Sequence, residues 1–197
     1  MKTRILHIFR HGETDWNRDG RMQGGTDIPL NETGRAQALE LRKYFAKNPV
    51  EVFLSSDLSR AHETAKIAAG SNPVPIVLDP RLRETNLGDA EGLTQEQFID
   101  KFGAAALEHW RHFPDHPDAR FPNGETKVEH LSRVRAALED FLSKTNHRHI
   151  GIATHGGSMR RLIHHWRDDL PSPVMVANCA VYRVEYDPVS GLWTIDI

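Results

Sequence analysis

Residues 5–12 of the chain read Ile5-Leu6-His7-Ile8-Phe9-Arg10-His11-Gly12. The first five are mostly apolar, and the run stops abruptly at two basic side chains and a glycine. Two later apolar runs end in the same way, residues 50–54 at Ser55-Ser56 and residues 150–153 at Thr154-His155-Gly156-Gly157. Apolar runs of this length are typical of strands that are buried on both faces of a parallel sheet. The pattern therefore predicts a parallel sheet whose strands end in polar residues.

Amphipathic helical patterns lie between these predicted strands. One follows the capping candidate Asn31, a second follows Asp57, and the longest follows Thr126, with Glu129 at capping-box spacing. Near the C-terminus, residues 182–186 alternate between apolar and charged and precede a turn, which predicts a hairpin at a sheet edge. Strands that alternate with helices indicate a three-layer α/β sandwich with a mostly parallel central sheet and helices on both faces.

The length of 197 residues favours one domain, with room for a subdomain. The segment from residue 88 to residue 124 has the least regular pattern and contains Pro114, Pro117 and Pro122. We expect it to form helical excursions over one end of the sheet. The prediction is a single domain over residues 1–197 with a small helical cap, inserted at 88–124, above the strand ends.

Composition limits the classes of partner. The 25 basic and 27 acidic side chains give a net charge of −2, which offers no overall electrostatic attraction for nucleic acid or an anionic membrane. No apolar run approaches the roughly 18 residues of a membrane span. The single cysteine, Cys179, cannot form an intramolecular disulfide, which favours a reducing, cytoplasmic location. We expect neither nucleic-acid nor membrane partners, and the oligomeric state stays open.

The residues at the predicted strand ends have a shared chemistry. Because carboxyl ends of parallel strands meet at one edge, where open α/β sheets bind ligands, we expect Arg10, His11 and His155 to converge. Arg60, in the first turn of the next predicted helix, could point back over the same edge. Two arginines and two histidines form a pocket suited to a phosphoryl group, and a neutral imidazole can attack phosphorus. Glu84 could supply the proton that a leaving oxygen requires.

An ordered set of short motifs strengthens this interpretation. The motifs are Phe9-Arg10-His11-Gly12-Glu13-Thr14 with Asn17, Gln23-Gly24 through Pro29-Leu30, Ser55-Ser56-Asp57-Leu58-Ser59-Arg60-Ala61, Leu82-Arg83-Glu84, Pro122-Asn123-Gly124-Glu125-Thr126 and Thr154-His155-Gly156-Gly157. In this order they resemble the motifs of the histidine phosphatase superfamily, the phosphoglycerate mutase-like proteins. One Arg-His-Gly alone would be a weak signal, whereas the ordered set is specific.

The resemblance implies a role for each matching residue. His11 would be the nucleophile that becomes phosphohistidine, and Glu84 would protonate the leaving alkoxide and then deprotonate water. The other matching residues would hold the phosphoryl group or lie against the substrate: Arg10, Asn17, Gly24, Arg60, His155 and Gly156. No metal or cofactor is implied, because arginine and histidine supply the positive charge. The alternative for Glu84 is a surface salt bridge with Arg81 or Arg83.

The function implied is that of a metal-independent phosphomonoesterase of the histidine acid phosphatase type, acting on small phosphorylated metabolites. One alternative is a phosphoglycerate mutase, whose insertion after the acid loop carries basic residues that bind a carboxylate. The stretch here is short, although Arg111 and Arg120 could imitate that contact. A non-catalytic phospho-ligand-binding relative is a further alternative, but such a protein would be expected to lose the nucleophile or an arginine.

The 12 histidines raise the question of a metal site. His109, His112 and His116 could line one helix face, yet Pro114 interrupts that helix and no cysteine or glutamate completes a tetrahedral set. No metal site is therefore predicted. The remaining clusters, His147 with His149 and His164 with His165, are expected at solvated helix or strand ends.

Overall fold

The structure is a computed structural model that describes residues 2–71, 74–111, 116–170 and 174–196, without the side chains of residues 109, 111 and 196. The described residues form six strands: β1 (Arg4–Arg10), β2 (Val52–Ser55), β3 (Ile76–Leu78), β4 (His149–Thr154), β5 (Val181–Tyr186) and β6 (Trp193–Asp196). They also form seven α-helices: α1 (Asp15–Arg18), α2 (Glu32–Lys47), α3 (Ser59–Ala69), α4 (Gln95–Phe102), α5 (Ala104–Arg111), α6 (Lys127–Lys144) and α7 (Gly156–Trp166).

The strands form one mostly parallel sheet in the order β3-β2-β4-β1-β5-β6. β4 lies between β1 and β2 and is parallel to both, with Arg10 beside Thr154 and Ser55 beside Ala153. The carboxyl ends of the three central strands are therefore level with one another. The residue that follows each strand lies at the same edge, as the sequence predicts. The β5–β6 hairpin pairs antiparallel at the far side of β1, which confirms the predicted edge hairpin.

Helices cover both faces of the sheet because side chains alternate along each strand. Leu6, Ile8 and Ile152 pack in one apolar cluster with residues of α6 and α7. Phe9 and Phe53 point to the opposite face and pack in a second cluster with residues of α2 and α3. This arrangement confirms the predicted three-layer α/β sandwich.

Two of the three helix starts follow the sequence prediction. Asn31 accepts a hydrogen bond from Gly34 N at the start of α2, and Thr126 forms a capping box with Glu129 at the start of α6. The third differs, because α3 begins at Ser59 and Asp57 does not cap it.

Long-range contacts explain this difference. Asp57 forms an ion pair with Arg83, and the amide and hydroxyl of Ser59 donate to Asp27 at 2.8 and 2.7 Å. The carboxylate of Asp27, from a distant loop, thus accepts the hydrogen bonds of the first residue of α3. Asp57 pairs with Arg83 instead of capping the helix.

A third, small apolar cluster lies outside the sandwich. Leu87, Phe98, Leu107 and Phe121 are its main members, and it joins α4 and α5 to the loops on either side of them. The described part of the region predicted as helical excursions thus contains two α-helices, α4 and α5, which pack on this cluster. No helix among the described residues has the length and apolar character needed to cross a bilayer.

Candidate active site

Three strand ends bring His11, Ser56 and His155 together at one edge of the sheet. His11 and His155 are almost fully buried, and their ring centroids lie 5.1 Å apart. Nε2 of His155 lies 2.9 Å from the Ser56 hydroxyl. The convergence follows from the register of the three parallel strands β1, β4 and β2, whose last residues are level. Each of the three polar residues comes directly after the last residue of its strand.

One hydrogen bond defines the tautomer of His11. Its Nδ1 lies 2.7 Å from the carbonyl oxygen of Gly12, which can only accept, so Nδ1 carries the proton and Nε2 keeps its lone pair. Burial, followed by the charges of Arg60 and Arg10, holds the pKa of His11 well below its usual value. His11 is therefore a neutral imidazole with a free lone pair at neutral pH, which is the form required of a nucleophile.

The loop after β1 depends on a close backbone approach. A Cβ atom on Gly12 would lie 2.4 Å from the carbonyl oxygen of Gly34, at the start of α2. A substitution at residue 12 would separate these two segments. The amide of Gly12 also donates to the Thr64 hydroxyl at 3.1 Å, which ties the loop to α3.

Arg60 is fully buried at the start of α3, where the sequence predicts it. Its two terminal nitrogens donate to the carbonyl oxygens of Thr26 and Gly24, both at 2.8 Å. Nε has no acceptor among the described residues. Glu91 fixes the same loop by accepting hydrogen bonds from the amides of Gly25 and Thr26 at 2.7 and 2.9 Å. Gly24, a predicted substrate contact, lines the cavity, and its carbonyl orients Arg60.

Arg10, the residue before His11, is partly buried. Its Nη1 donates to the carbonyl oxygen of Val176 at 2.7 Å, and Nε has no acceptor among the described residues. Burial, with a smaller effect of Arg160, lowers the pKa of Arg10 to about 10, so it stays charged at neutral pH. A Cβ on Gly156 would lie 3.2 Å from Nε of Arg10. Gly156 was predicted to contact substrate, but it does not line the cavity and leaves room for Arg10 instead.

Asn17 is oriented by two donors. Its Oδ1 accepts from the amide of Thr14 and from Nδ2 of Asn178, both at 3.2 Å, so its own NH₂ group stays available on the cavity side. Asn178 also donates to the carbonyl oxygen of His11 at 3.1 Å. The sequence analysis missed Asn178, which lies in a loop before β5 and belongs to none of the motifs.

Glu84 lies against the N-terminus of α7. Its two carboxylate oxygens accept from the amides of Thr85 at 2.9 Å and Gly157 at 2.8 Å. Burial is the largest influence and opposes ionisation, but the Gly157 amide, Arg161 and the Thr85 amide together hold the pKa of Glu84 below its usual value.

The surface salt bridge considered for Glu84 does not form. Arg81 pairs with Asp79 and Asp140, and Arg83 pairs with Asp57. Glu84 instead lines the same cavity as His11 and Arg60.

Comparison with known proteins agrees with this geometry. The family model of the histidine phosphatase superfamily (branch 1) matches residues 6–195. The chain belongs to the histidine phosphatase superfamily. A relative from Proteus mirabilis, named probable phosphoglycerate mutase GpmB, is 32% identical over 200 residues, covering 97% of this chain and 90% of the relative.

Two solved histidine phosphatase folds are similar over nearly their full length. A mycobacterial glucosyl-3-phosphoglycerate phosphatase in complex with VO₃ has 29% identity and a TM-score of 0.85, with 98% of each chain covered. Bacillus stearothermophilus YhfR has 30% identity and a TM-score of 0.87, covering 98% of this chain and 95% of that one.

The histidine phosphatase site opens into a cavity of about 410 Å³. His155 is not among its lining residues but packs beside His11, with Nδ1 buried and without a partner among the described residues. Side chains that the sequence analysis missed also line the cavity: Arg21, Leu107, Trp110, Lys127, Arg160 and Arg161.

A signal for part of this lining was present in α7. Gly157, Arg161 and His164 recur at helical spacing, so they share one face that starts at the second histidine motif. His164 is 6% exposed and lines the cavity, so its assignment to a solvated helix end was wrong, whereas His165 is exposed.

Two further expectations concern groups in or near helix α5. Arg120, considered for a carboxylate contact, is exposed and is not among the residues that line the cavity. The side chain of Arg111 lies outside the described residues, as do the side chain of His109 and the whole of His112. Within the described part of the chain, no three histidine, cysteine or acidic residues are placed to hold a metal ion.

Proposed function

We propose that this histidine phosphatase hydrolyses small phosphomonoesters through a phosphohistidine on His11, without a metal ion. The observation that carries the proposal is the neutral His11 tautomer, whose Nε2 keeps its lone pair close to the charges of Arg60 and Arg10. Arg10, Arg60 and the Asn17 amide have donors that are not fully used by the protein. These donors suit the three equatorial oxygens of a transferring phosphoryl group.

In the first step, Nε2 of His11 attacks phosphorus and the bond to the ester oxygen breaks. The carboxyl of Glu84 donates its proton to the leaving alkoxide, so that a neutral alcohol departs. Glu84 is ionised in the free protein, because amides and Arg161 lower its pKa. The negative charge of the bound phosphoryl group opposes that ionisation, and Glu84 takes up a proton as substrate binds.

In the second step, the Glu84 carboxylate accepts a proton from water and the water oxygen attacks phosphorus. The phosphorus–nitrogen bond breaks, which returns His11 to its neutral form and releases inorganic phosphate. His155 packs beside the His11 ring, and its buried Nδ1, which has no partner among the described residues, supports its proposed role in holding a phosphoryl oxygen. We include in the proposal a cytoplasmic location, on the compositional argument, and a cap role for segment 88–124, because Gln95, Leu107 and Trp110 line the cavity.

Phosphohistidine trapping tests the proposal. Brief incubation with a ³²P-labelled phosphomonoester and an alkaline quench should leave label that survives base and is lost in acid, as expected of a phosphoramidate. His11→Ala should abolish both label and turnover, whereas His165→Ala, which changes an exposed histidine of α7, should keep both. Undiminished turnover of His11→Ala would refute the mechanism.

A phosphoglycerate mutase is the second candidate, because curated relatives such as the Proteus mirabilis protein carry that name. The two activities are separated by their products. A mutase returns an isomeric phosphoglycerate, whereas a phosphatase releases inorganic phosphate and glycerate. Incubation of the protein with a single phosphoglycerate isomer, followed by phosphorus NMR, distinguishes them directly.

A further inference from the structure

A buried histidine that the proposed mechanism does not use lies next to the loop that carries Glu84. His130, near the start of α6, is fully buried. Its Nδ1 lies 2.8 Å from the Thr85 hydroxyl, and its Nε2 lies 2.9 Å from the Ser158 hydroxyl. Thr85 follows Glu84 in the chain, whereas Ser158 lies in the first turn of α7. One imidazole therefore joins α6, the Glu84 loop and the start of α7.

The same two segments bind the carboxylate of Glu84. One of its oxygens accepts a hydrogen bond from the amide of Thr85 at 2.9 Å, and the other accepts from the amide of Gly157 at 2.8 Å. Gly157 comes directly before Ser158, so each of these amides is within one residue of a hydroxyl that contacts His130. The direction of the Glu84 carboxyl group thus depends on the separation between Thr85 and the start of α7.

This separation leaves little room for adjustment. A Cβ atom on Gly157 would lie 2.3 Å from Oε1 of Glu84, so the first turn of α7 and the carboxylate are in close contact. Hydrogen bonds weaken steeply when their angles depart from linear. A small movement of the loop relative to α7 would therefore weaken one of the two amide contacts or turn the carboxyl group.

The chemical state of His130 allows it to hold both segments at once. Burial, followed by the charges of Arg161 and Arg133, keeps the pKa of His130 well below its usual value, so the ring is neutral. A neutral imidazole has one donor and one acceptor nitrogen, and a hydroxyl can take either role, so both contacts are satisfied together. Because the ring is rigid, its two nitrogens set a fixed distance between the Thr85 and Ser158 hydroxyls.

We propose that His130 is a positioning residue for the general acid. It sets the separation at which the amides of Thr85 and Gly157 both bind Glu84, and this keeps the carboxyl group aligned with the leaving oxygen. His130 is not among the residues that line the cavity, so it acts through these neighbours and not on the substrate. The inference rests on the proposed function, in which Glu84 is the acid.

Two substrates with different leaving groups test this role. The quantity to compare is kcat/KM on glycerol 2-phosphate divided by kcat/KM on 4-nitrophenyl phosphate, because only the first leaving group depends strongly on protonation. His130→Leu fills the space of the ring without its nitrogens, and we expect it to lower this ratio by roughly tenfold. Thr85→Val, which removes the hydroxyl and keeps the amide, should lower the ratio too, and its effect should not add to that of His130→Leu.

A second buried histidine provides the matched control. His7, on β1, is 3% exposed, and its Nδ1 lies 2.8 Å from the Tyr44 hydroxyl. His7→Leu should reduce the free energy of unfolding in urea, as His130→Leu does, but should leave the ratio unchanged. If His130→Leu does not fold, His130→Asn and His130→Gln replace it. Each of these can keep one of the two hydroxyl contacts, and we expect each to give an intermediate ratio.

A titration of Glu84 reports on its position without turnover. Carbon-13 NMR of protein labelled at glutamate carboxyl groups gives its pKa, with the Glu84 signal assigned by its absence from Glu84→Gln. The two amides hold this pKa below its usual value, so His130→Leu should raise it by roughly one pH unit as their contacts weaken. The charges that act on Glu84 stay the same in the variant: Arg10, Arg60, Arg160 and Arg161.

The outcomes separate the positioning role from the phosphatase function. An unchanged ratio and an unchanged Glu84 pKa in folded His130→Leu would overturn the positioning role and leave the phosphatase proposal standing. A ratio that falls equally in His7→Leu would also overturn it, since the loss would then follow stability. A wild-type protein that hydrolyses neither substrate would refute the phosphatase function, and the Glu84 titration would still decide whether His130 positions the carboxyl group.

Discussion

The guanidinium of Arg133, on α6, lies 2.8 Å from the main-chain carbonyl oxygen of Glu84. It also donates to the carbonyl oxygens of Arg81 and Arg83, both at 2.7 Å, and its remaining edge is bound by the carboxylate of Glu125. One side chain therefore fixes the backbone of the loop that carries the proposed general acid. The loop itself has little regular structure, and the hydrogen bonds from the Arg133 guanidinium hold Glu84 in position.

Weakening the hydrogen bonds from Arg133 to this loop should selectively affect the acid catalysis proposed for Glu84. Arg133→Lys keeps the charge but lacks the planar set of donors, so we expect kcat/KM on an alkyl phosphate to fall by about tenfold or more. The loss on 4-nitrophenyl phosphate should be smaller, because that leaving group needs little protonation. Arg135→Lys on the same helix is the matched control. A uniform loss on both substrates would show that Arg133 acts on stability or binding and does not position the acid.

Glu84→Gln tests the acid itself. General acid catalysis typically contributes 10²- to 10⁴-fold, so we expect a loss of about this size in the first step on alkyl phosphates and much less on 4-nitrophenyl phosphate. Because Glu84 also activates water in the second step, pre-steady-state release of the alcohol is the quantity to compare. Glu139→Gln, an exposed carboxylate on α6, is the control. Equal losses on the two leaving groups would remove Glu84 from the acid role.

Asn178 should act through Asn17. Asn178→Ala removes the donor that orients the Asn17 amide, and we expect kcat/KM to fall by about tenfold. In an Asn17→Ala background the same change should have little further effect, which is the signature of coupled residues in a double-mutant cycle. Asn146→Ala, in an exposed loop, is the control. Additive losses in the double variant would contradict the coupling.

Buried histidines should make the fold sensitive to acid. Burial lowers the pKa of His7 to about 4 and those of His11, His130 and His155 well below the usual value, so these groups are neutral in the folded state. The unfolded chain binds protons on them below about pH 6.5, so the free energy of unfolding decreases as pH falls through that value. Between pH 7.5 and 5.5 each histidine should contribute a decrease of about 1.4 kcal/mol.

Urea unfolding at these two pH values measures the effect. His130→Gln removes one buried imidazole, and the pH-dependent loss should shrink by about 1.4 kcal/mol relative to the wild-type protein. His116→Gln, at an exposed position, should leave the loss unchanged. An unfolding free energy that is constant over this range would mean that the buried histidines are protonated in the folded state.

Chelation should leave activity intact. The charge in the cavity comes from arginines and a lysine, and we expect EDTA to change the rate by less than about twofold, which is well under 1 kcal/mol of barrier. The assay compares initial rates before and after dialysis against the chelator. A large loss that an added divalent cation restores would contradict the metal-independent mechanism.

The core of the site was predictable because it depends on strand ends. Once β1, β2 and β4 are parallel and adjacent, Arg10, His11 and His155 must meet, and the position of Arg60 follows from the first turn of a helix. Local sequence patterns are enough to predict these positions. They also predict the helix caps Asn31 and Thr126, because the hydrogen-bond partner of each cap is only three residues away.

The rest of the site depends on contacts that no local pattern encodes. Arg161 and Lys127 are buried although their residue types are usually exposed, because a cavity formed by distant segments encloses them. Asn178 reaches Asn17 across 161 positions of the chain, and Arg133 reaches Glu84 across 49. In the same way, Asp57 accepts a hydrogen bond from the distant Arg83. The preference of aspartate for a helix cap therefore does not decide where α3 starts.

The position of β1 in the sheet has a consequence for how the protein comes to be active. β1 precedes the other strands in the chain, but its two neighbours, β4 and β5, are formed by residues 149–154 and 181–186. During synthesis the strand that leads to His11 therefore has no partner in the sheet until residues 149–154 have been made. Pairing across such long separations is slow and leaves apolar edges open to aggregation. The proposed nucleophile is therefore made before either of the strands that hold it in place.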